Sequence, residues 1–344
     1  MAIGARSNWC SQHWVATPPA GSGIIFVVTT SFGRYRVDTV LARGGMGEVF
    51  LGRVDGAHGF ERPIVIKVIR NDLITDERFA MMFVDEARIA ASLHHRNIVQ
   101  IVDFDRFDNG VFLVTEHVDG CDLRQLLREL RSPPPLPLAI AIIAELATGL
   151  HAAHEATGTD GQSLQLVHRD ISPSNVLLGI HGEVKLADFG VAKARSRSYH
   201  TVSGTIKGKA PYMSPEQILG GQLDRRSDIY SIGTLMFELV TRTRLFSGAS
   251  NARAMQMILA GEVPAPESRR ADIPPALSAI LRRSLAFDRE ERYPTAEDLV
   301  DDLDTLARAQ HWSLSLAQIA HAVRVTKTRM QGRPPSTSTS GGDT

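Results

Sequence analysis

The pattern of apolar residues changes near Val118, and this change limits the possible folds more than any other feature of the chain. Before it, short β-branched runs such as Ile64–Ile69 are typical of strands. After it, long apolar stretches such as Leu136–His154 repeat with the spacing of helices. Strands followed by helices indicate an α+β protein, so the sequence predicts a small strand-rich lobe over residues 32–118 and a larger helical lobe over residues 119–310.

The first and last segments of the chain carry no clear apolar period. Residues 1–31 mix Trp, Gln, Pro, Gly and Ser, and we expect a poorly ordered leader there. Residues 311–344 are expected to form a short helix followed by a low-complexity tail of Pro, Ser, Thr and Gly. Both segments are therefore placed outside the predicted domain.

Composition narrows the kind of protein. With 344 residues the chain is long enough for two sizeable cores, and its formal net charge of +0 favours neither nucleic acid nor an acidic membrane surface as a partner. Its two cysteines, Cys10 and Cys121, suggest neither a disulfide framework nor a zinc site. We expect no membrane anchor, because the apolar runs are expected to fall well short of the roughly 20 residues that a spanning helix needs. Together these absences predict a cytoplasmic protein.

One loop carries an acid and an amide five positions apart, Asp170 and Asn175, directly behind the pair His168–Arg169. A loop of that length can aim a carboxylate at a substrate hydroxyl and an amide at a metal ion. Further along, Asp188 ends the second strand of a predicted hairpin. An acid and an amide are hard oxygen ligands of the kind that Mg²⁺ prefers, and Mn²⁺ is an alternative.

Glycines are concentrated between two predicted strands of the first lobe, in the stretch Gly44–Gly47. Glycine lets the backbone approach phosphate oxygens closely and offers amide donors to them. A dinucleotide-binding turn would open a helix, whereas this chain continues as a strand through Val49–Leu51. A generic tight hairpin explains the glycines equally well, so the turn alone does not establish a phosphate site.

A lysine and a glutamate occupy apolar surroundings on neighbouring predicted elements. Lys67 interrupts a β-branched strand, and Glu86 lies on the apolar stripe of a helix predicted over residues 76–93. An unpaired carboxylate there would be costly, so we expect Glu86 to pair with Lys67 and leave the ammonium aimed at phosphates. The alternative is a lysine that simply faces solvent.

Taken in order along the chain, these residues resemble the motifs of the protein kinases, and most closely those of the bacterial serine/threonine kinases. The stretch His168–Asn175 is similar to the catalytic loop, Asp188–Gly190 to the D-F-G motif, and the glycine turn to the glycine-rich loop. The resemblance covers about residues 32–308 and implies a two-lobed kinase fold. It also implies transfer of the γ-phosphoryl group of ATP to serine or threonine in protein substrates, including a second copy of the chain acting in trans.

The resemblance implies a role for each matching residue. Asp170 would orient the attacking hydroxyl, while Asn175 and Asp188 would bind Mg²⁺. Lys67, paired with Glu86, would hold the phosphates of ATP. The nucleotide would be contacted by Lys67 and by residues of the glycine-rich loop and the hinge, namely Ala42 in place of the first glycine, Gly44, Gly45, Gly47, Val49, Glu116 and Val118.

Two further matches are structural. Glu216, in a segment similar to the kinase A-P-E motif, is expected to pair with Arg292. Asp228 is expected to cap a helix over Asp228–Thr241 and to brace the catalytic loop. These residues would support the site without contacting substrate.

Two positions depart from the family pattern. Serine/threonine kinases usually carry a lysine where this chain has Ser172, and a threonine where it has Lys209. In the family these two side chains meet beside the catalytic aspartate, so we hypothesise that Lys209 is catalytic and supplies the cation that Ser172 cannot. The alternative is that Lys209 faces solvent and that the chain transfers phosphate slowly, or is a pseudokinase or ATP-binding scaffold.

The segment between Gly190 and Gly208 is rich in hydroxyl and basic side chains. By resemblance to kinase activation loops, we expect the chain to phosphorylate itself there, with Arg169 receiving the phosphate. The alternative is a plain polar loop. The candidate acceptors are Ser196, Ser198, Thr201, Ser203 and Thr205.

Overall fold

The structure is a computed structural model, and it divides the chain into two compact units. The first unit contains the described residues up to Ser92 together with Gln100–His117, and the second contains Leu93–Val99 and the described residues from Val118 onward. The segment Leu93–Val99 groups with the second unit through two backbone hydrogen bonds with Leu186. The Val99 N–H donates to the Leu186 carbonyl at 2.9 Å, and the Leu186 N–H donates to the Asn97 carbonyl at 2.8 Å. The described residues are 31–44, 47–69, 87–107, 110–189, 209–246 and 250–332.

Several sequence predictions lie outside the described residues. These include the leader, Gly45, Glu86, the proposed activation loop and the low-complexity tail. Of the helix predicted over 76–93, helical backbone is described over 87–92. The pairing of Lys67 with Glu86 stays a prediction.

The first unit is built on an antiparallel sheet of six described strands, in which the first four strands of the chain lie side by side in order and the sixth lies between the fourth and the fifth. Its core lies on one face, where Ile64 and Ile66 pack with Phe112 and Val114. Side chains alternate between the faces of a strand, so Lys67 points to the face opposite this core. The strands are β1 (Ser31–Phe32), β2 (Tyr35–Gly44), β3 (Gly47–Asp55), β4 (Glu61–Ile69), β5 (Ile101–Phe107) and β6 (Gly110–Glu116).

The second unit is mainly helical and carries a small antiparallel sheet of β7 (Gly120–Asp122), β8 (Val176–Gly179) and β9 (Val184–Leu186). The β8–β9 hairpin confirms the hairpin predicted before Asp188, and Gly182 in its turn has a φ of 100°, which favours glycine. The described helices are α1 (Leu123–Glu129), α2 (Leu136–His154), α3 (Pro215–Leu219), α4 (Arg225–Thr241), α5 (Asn251–Leu259), α6 (Pro275–Ser284), α7 (Ala296–Ala309) and α8 (Leu316–Gln331).

Helix α2 has the bounds that its apolar run predicted, and it is the central helix of the second unit. It is also long and apolar enough to cross a membrane, so the expectation that no run approaches that length was wrong. In this structure 72% of its most apolar window is buried within the protein. Because it packs against α4, α7 and β9, it serves as a core helix.

Two helix boundaries differ from those predicted. Helix α4 begins at Arg225 and is capped by Asp224, whose side chain accepts the Arg226 N–H at 2.8 Å, so the prediction that Asp228 caps it was wrong. Two aspartates four positions apart offer two plausible starts, and the second is drawn inward by tertiary contacts. Helix α8 is longer than the short helix predicted within residues 311–344, because it runs from Leu316 to Gln331, and it buries Ile319, Ala320 and Val323.

Candidate active site

Asp228 holds the backbone of the catalytic loop from inside α4. Its carboxylate is fully buried and accepts the N–H groups of His168 at 2.7 Å and Arg169 at 2.8 Å. The Nε2 of His154, on α2, donates to the same carboxylate at 2.9 Å. These bonds fix Arg169 in the left-handed region, with a φ of 66°, a conformation that a non-glycine residue adopts only under tertiary constraint. The predicted bracing role of Asp228 is confirmed.

His168 ties the catalytic loop to the strand that precedes Asp188. Its Nε2 donates to the carbonyl of Ala187 at 3.0 Å, and its Nδ1 accepts the N–H of Asp170 at 3.2 Å. The ring is buried and meets the ring of Phe189 edge to face at 4.6 Å between centroids. With Nε2 bonded to the Ala187 carbonyl and Nδ1 bonded to the Asp170 N–H, both ring nitrogens of His168 are engaged, so His168 has a positioning role.

Asn175 holds the carboxylate of Asp170 and lies next to Ala187. Its Nδ2 donates to the Asp170 backbone carbonyl at 2.7 Å and to Asp170 Oδ2 at 3.2 Å. The backbone carbonyl of Asn175 accepts the Ala187 N–H at 2.8 Å. With Nδ2 engaged in this way, the Oδ1 of Asn175 is the atom suited to a cation. Asp188 follows Ala187 with a φ of 65°, a second left-handed residue at this site.

Asn175 and Asp188 form a donor set suited to Mg²⁺. One amide oxygen and one carboxylate are hard ligands, and Mg²⁺ bound by so few protein groups completes its shell with phosphate oxygens and water. Within the described part of the chain, no group of three or more His, Cys, Asp or Glu side chains could hold a metal ion without such help. The residues therefore fit a cation that arrives together with a nucleotide.

Lys209 lies beside Asp170, although 39 positions separate them in the sequence. Its Nζ donates to Asp170 Oδ2 in an ion pair in which the lysine side chain is 33% exposed and the aspartate 13% exposed. Ser172 is buried, and its hydroxyl lies 3.2 Å from that of Ser174. The structure thus places the ammonium at the carboxylate, as the hypothesis of an exchange with Ser172 requires.

A short turn, Ala210–Tyr212, follows Lys209 and anchors it to α4. The carbonyl of Tyr212 accepts from the Ser231 hydroxyl at 2.8 Å, and the Tyr212 phenol donates to the carboxylate of Glu238. Burial together with this carboxylate raises the pKa of Tyr212 well above its usual value, so the phenol stays protonated as a donor. The position of Lys209 is therefore set by packing against α4.

Glu216 and Arg292 form the predicted ion pair, with bidentate contacts of 2.7 and 2.9 Å. The Arg292 guanidinium is fully buried, and its remaining donors are satisfied by backbone carbonyls of Arg226, Ala286 and Phe287. Burial tends to raise the pKa of Glu216, but hydrogen bonds from Arg292 and Ser227 outweigh it and hold this pKa below its usual value.

Gln217 and His154 support the catalytic loop and were not predicted. The Nε2 of Gln217 donates to the Arg169 carbonyl at 2.8 Å, and the Ser214–Gln217 capping box sets the start of α3. The spacing of serine and glutamine in that box was a readable signal for Gln217. His154, at the end of an apolar helix, offered no comparable signal.

Strand register in the first unit aligns three of the predicted nucleotide-contacting residues. Ala42 on β2 lies opposite Val49 on β3, and Val49 lies opposite Lys67 on β4. Residues directly opposite in antiparallel pairs point to the same face, so these three side chains share the face away from the core. Gly47 has a φ of 152°, and a Cβ there would lie 1.7 Å from the Val68 carbonyl oxygen, so only glycine fits.

The remaining predicted nucleotide contacts are placed as follows. Gly44 pairs with Gly47 at the tip of the β2–β3 hairpin. The carboxylate of Glu116 accepts the Gln100 N–H at 2.8 Å, which joins the ends of β5 and β6. Val118 is the residue at which the second unit resumes. The backbone of Glu116 and Val118 is described, and its contact with adenine stays a prediction.

The fold and the arrangement of these residues define a protein kinase domain. Residues 35–303 match the family model described as "Protein kinase domain", and the chain therefore belongs to the protein kinase family. The predicted α+β class, with a strand-rich unit followed by a helical one, is confirmed. The kinase domain of PknI from Mycobacterium tuberculosis has a similar structure, with a TM-score of 0.61 and 25% identity, covering 82% of this chain and 99% of that chain.

Similar proteins are bacterial kinases, and they include one named as a tyrosine kinase and others named as serine/threonine kinases. The chain is 44% identical over 277 residues to the tyrosine-protein kinase MasK of Myxococcus xanthus, covering 80% of this chain and 43% of MasK. It is 36% identical to the serine/threonine-protein kinase PknL of Mycobacterium tuberculosis, covering 80% and 66%, and 34% identical to PrkC of Bacillus subtilis, covering 79% and 40%. The chain thus spans between two-fifths and two-thirds of the length of these relatives.

Proposed function

We propose that this chain is an ATP-dependent protein kinase that phosphorylates serine or threonine in protein substrates, including other copies of itself, in the cytoplasm. The observation that carries the proposal is the environment of Asp170, whose carboxylate is oriented by Asn175 and Lys209 on a loop braced by Asp228. A carboxylate held in this way can orient a substrate hydroxyl and accept its proton. Relatives named as serine/threonine kinases support the same activity.

In the proposed reaction the substrate oxygen bonds to the γ-phosphorus of ATP while the bond to the β–γ bridging oxygen breaks, and ADP leaves. The hydroxyl proton passes to Asp170. Mg²⁺, or Mn²⁺, bound by Asn175 and Asp188 would neutralise phosphate charge. Lys67 would hold the phosphates from its strand, and Gly44, Gly45, Gly47, Ala42 and Val49 would cover them with backbone donors and small side chains.

We assign Lys209 a catalytic role. Charge on the transferred phosphoryl group is stabilised best by fixed cations in a site from which water is excluded. Ser172 is neutral, whereas the Lys209 ammonium lies at the carboxylate that receives the substrate hydroxyl. Lys209 can therefore contact the same group that Asp170 addresses. Glu86 would act through Lys67 as a positioning residue.

The activation segment is proposed as a target of the kinase itself. Five serine and threonine residues lie in the stretch from Ser196 to Thr205, and Arg169 lies in the catalytic loop to receive a phosphate. Phosphopeptide mapping after incubation with ATP and Mg²⁺ is expected to find phosphate within this segment. An active enzyme whose segment stays unmodified would rule the proposal out.

A second candidate is phosphorylation of tyrosine. Two observations favour it: MasK, which is 44% identical, is named a tyrosine kinase, and Ser172 occupies the position where serine/threonine kinases usually carry lysine. The pseudokinase alternative is disfavoured, because Lys67, Asp170, Asn175 and Asp188 are all present.

One experiment separates these possibilities. The chain is incubated with radiolabelled ATP, Mg²⁺ and a mixed protein substrate, and the labelled protein is hydrolysed for phosphoamino-acid analysis. Phosphoserine or phosphothreonine that disappears in Asp170→Asn supports the proposal, whereas phosphotyrosine alone supports the second candidate. Label that persists in Asp170→Asn, or retained ATP binding without any label, contradicts the proposed mechanism.

A further inference from the structure

A cavity of about 540 Å³ in the second unit is lined by four arginines. Arg128 lies in the last turn of α1, Arg329 in the last turn of α8, and Arg242 is the residue that ends α4. Arg131 follows α1 in a loop. All four arginines are exposed to solvent, so the cavity is open to a ligand from outside.

Part of the positive charge of these arginines is balanced by the negative carboxyl ends of three helices. The carboxyl end of a helix carries about half a negative charge, so three ends contribute roughly −1.5. Glu129 adds −1, and its carboxylate is engaged by Arg128 at 3.2 Å. Four guanidinium groups at +4 therefore leave about +1.5 in the cavity wall. The positive charge of the four arginines therefore exceeds the negative charge of the three helix ends and Glu129 together.

Two of the arginines are free to bind a ligand. Arg329 donates to the carbonyl of Glu129 at 2.9 Å, and Arg128 is paired as described. The side chains of Arg131 and Arg242 form no hydrogen bond or ion pair with any residue in the described ranges. Each can offer a planar pair of N–H donors, which is the geometry that binds phosphate oxygens bidentately.

Arg242 also occupies a strained backbone position. Its φ of 55° and ψ of 26° lie in the left-handed region, where glycine ends a helix without cost. An arginine there sacrifices stability and contributes a guanidinium to the cavity.

The chain itself supplies a candidate ligand. Gly332 lines the cavity, and the sequence continues as Arg333-Pro-Pro-Ser-Thr-Ser-Thr-Ser340. At no more than about 3.6 Å per residue, Ser336 lies within about 14 Å of Gly332 and Ser340 within about 29 Å. Every hydroxyl from Ser336 to Ser340 is therefore within tether length of the arginines.

We propose that this cavity binds a phosphorylated serine or threonine of segment 336–340. The unmodified segment 333–344 carries one arginine and one aspartate and has no net charge to attract it, whereas each phosphate adds about −1.5 to −2. The phosphate would be added by the kinase activity proposed above, and in this respect the inference rests on that proposal. A short tether gives an effective concentration in the millimolar range, so modest intrinsic affinity suffices.

The test uses the full chain, dephosphorylated and checked by intact mass, and a synthetic fluorescent peptide of residues 333–344 with phosphoserine at position 338. Fluorescence anisotropy is expected to show binding about tenfold or more tighter than that of the unphosphorylated peptide, because charge-assisted hydrogen bonds are gained. Arg131→Gln, which removes one of the two guanidinium groups that have no partner in the described ranges, should weaken binding about fivefold or more, and Arg128→Gln should weaken it as well. Arg124→Gln is the matched control, since Arg124 lies one turn earlier on α1, pairs with Asp122 and does not line the cavity.

Arg242→Gly separates binding from folding. Glycine relieves the left-handed strain, so this variant should unfold at the same or a higher temperature and yet bind the phosphopeptide more weakly. A purely structural role, with the arginines serving only the helix ends, predicts the opposite: lower stability and unchanged binding.

Three results would overturn the proposal. One is equal binding of the phosphorylated and unphosphorylated peptides, and another is equal loss in Arg124→Gln and Arg128→Gln. The third is evidence of a general anion site. An unrelated phosphopeptide of the same charge that binds equally well, or inorganic phosphate that displaces the peptide at the peptide's own concentration, would provide it. Because the phosphate is installed by synthesis, a chain without kinase activity would leave a positive binding result standing.

Discussion

The candidate active site brings together side chains that lie far apart in the sequence. The ammonium of Lys209 meets the carboxylate of Asp170, while Ser172, two positions from that aspartate, is buried near the hydroxyl of Ser174. The positive charge at the site thus comes from the segment before α3. A cation in this place can compensate charge that develops on the phosphoryl group.

Replacing Lys209 by alanine is expected to lower the rate of phosphoryl transfer by about 10²-fold, a typical cost for losing one stabilising group of a transition state. Nucleotide affinity should change by less than about twofold, because the lysine contacts Asp170 rather than a residue assigned to ATP. Single-turnover kinetics and ATP titration measure the two quantities.

Lys327→Ala provides the matched control. Lys327 is also 33% exposed and also pairs with an aspartate, Asp119, but it lies on α8. The control should keep its transfer rate. Unchanged turnover in Lys209→Ala would show that Lys209 has no catalytic role.

Gly47→Ala is expected to destabilise the first unit and abolish ATP binding. A left-handed φ costs an alanine about 1 kcal/mol, and its Cβ would in addition lie 1.7 Å from the Val68 carbonyl oxygen. Gly59→Ala is the comparison, since Gly59 has a φ of 77° and no neighbour within 4 Å of such a Cβ. Urea unfolding and ATP titration of both variants should show loss of ATP binding in Gly47→Ala alone. Equal behaviour would mean that the clash is relieved without cost.

At the scale of elements, α3 and α4 form the support for the catalytic loop. Helix α3 contributes Gln217 and Glu216, and α4 contributes Asp228 and the anchor for the turn after Lys209. The buried Arg292 joins the two by binding Glu216 and the carbonyl of Arg226. A displacement of α3 would therefore shift the backbone of Arg169, because Gln217 is hydrogen-bonded to the Arg169 carbonyl.

The Glu216–Arg292 pair should make stability depend on pH. Since the pKa of Glu216 is lowered in the folded state, its contribution is fully present above the ordinary value of 4.5 and is lost as the pH falls through the folded pKa. The free energy of unfolding should thus fall more steeply below about pH 4.5 in the wild type than in Glu216→Gln. Urea unfolding between pH 3 and pH 6 measures the difference.

Glu290→Gln is the control for this pH effect. Glu290 also binds an arginine, Arg226, and hydrogen bonds from that arginine lower its pKa, but its side chain is 66% exposed. Solvent screens such a pair, so its substitution should leave the pH dependence almost unchanged. Identical acid profiles for the wild type and Glu216→Gln would contradict the account of the pair.

For the molecule as a whole, the structured region extends past the match to the kinase family. That match ends at residue 303, yet α8 packs in the second unit as far as Gln331. It buries Ile319 and Val323 and binds the Ile180 carbonyl through Arg324 at 2.8 Å. Helix α8 is therefore part of the folded second unit.

Ending the chain after Gln310 should lower the temperature of unfolding by several degrees, because the apolar face of α8 no longer covers the core. Ending it after Gly332 should leave that temperature unchanged. Calorimetry of the two truncated chains and the full chain provides the comparison. An unchanged transition after removal of α8 would show that its packing contributes little.

The sequence alone determined the α+β class, the order of the motifs and the bounds of α2, because apolar periodicity and glycine or capping signals act over a few neighbouring residues. Tertiary structure alone decided that Asp228 is buried rather than a cap, that His154 donates to its carboxylate, and that four arginines from residues 128 to 329 share one cavity. Such contacts join residues far apart in the chain. They depend on how helices pack, which local periodicity does not encode.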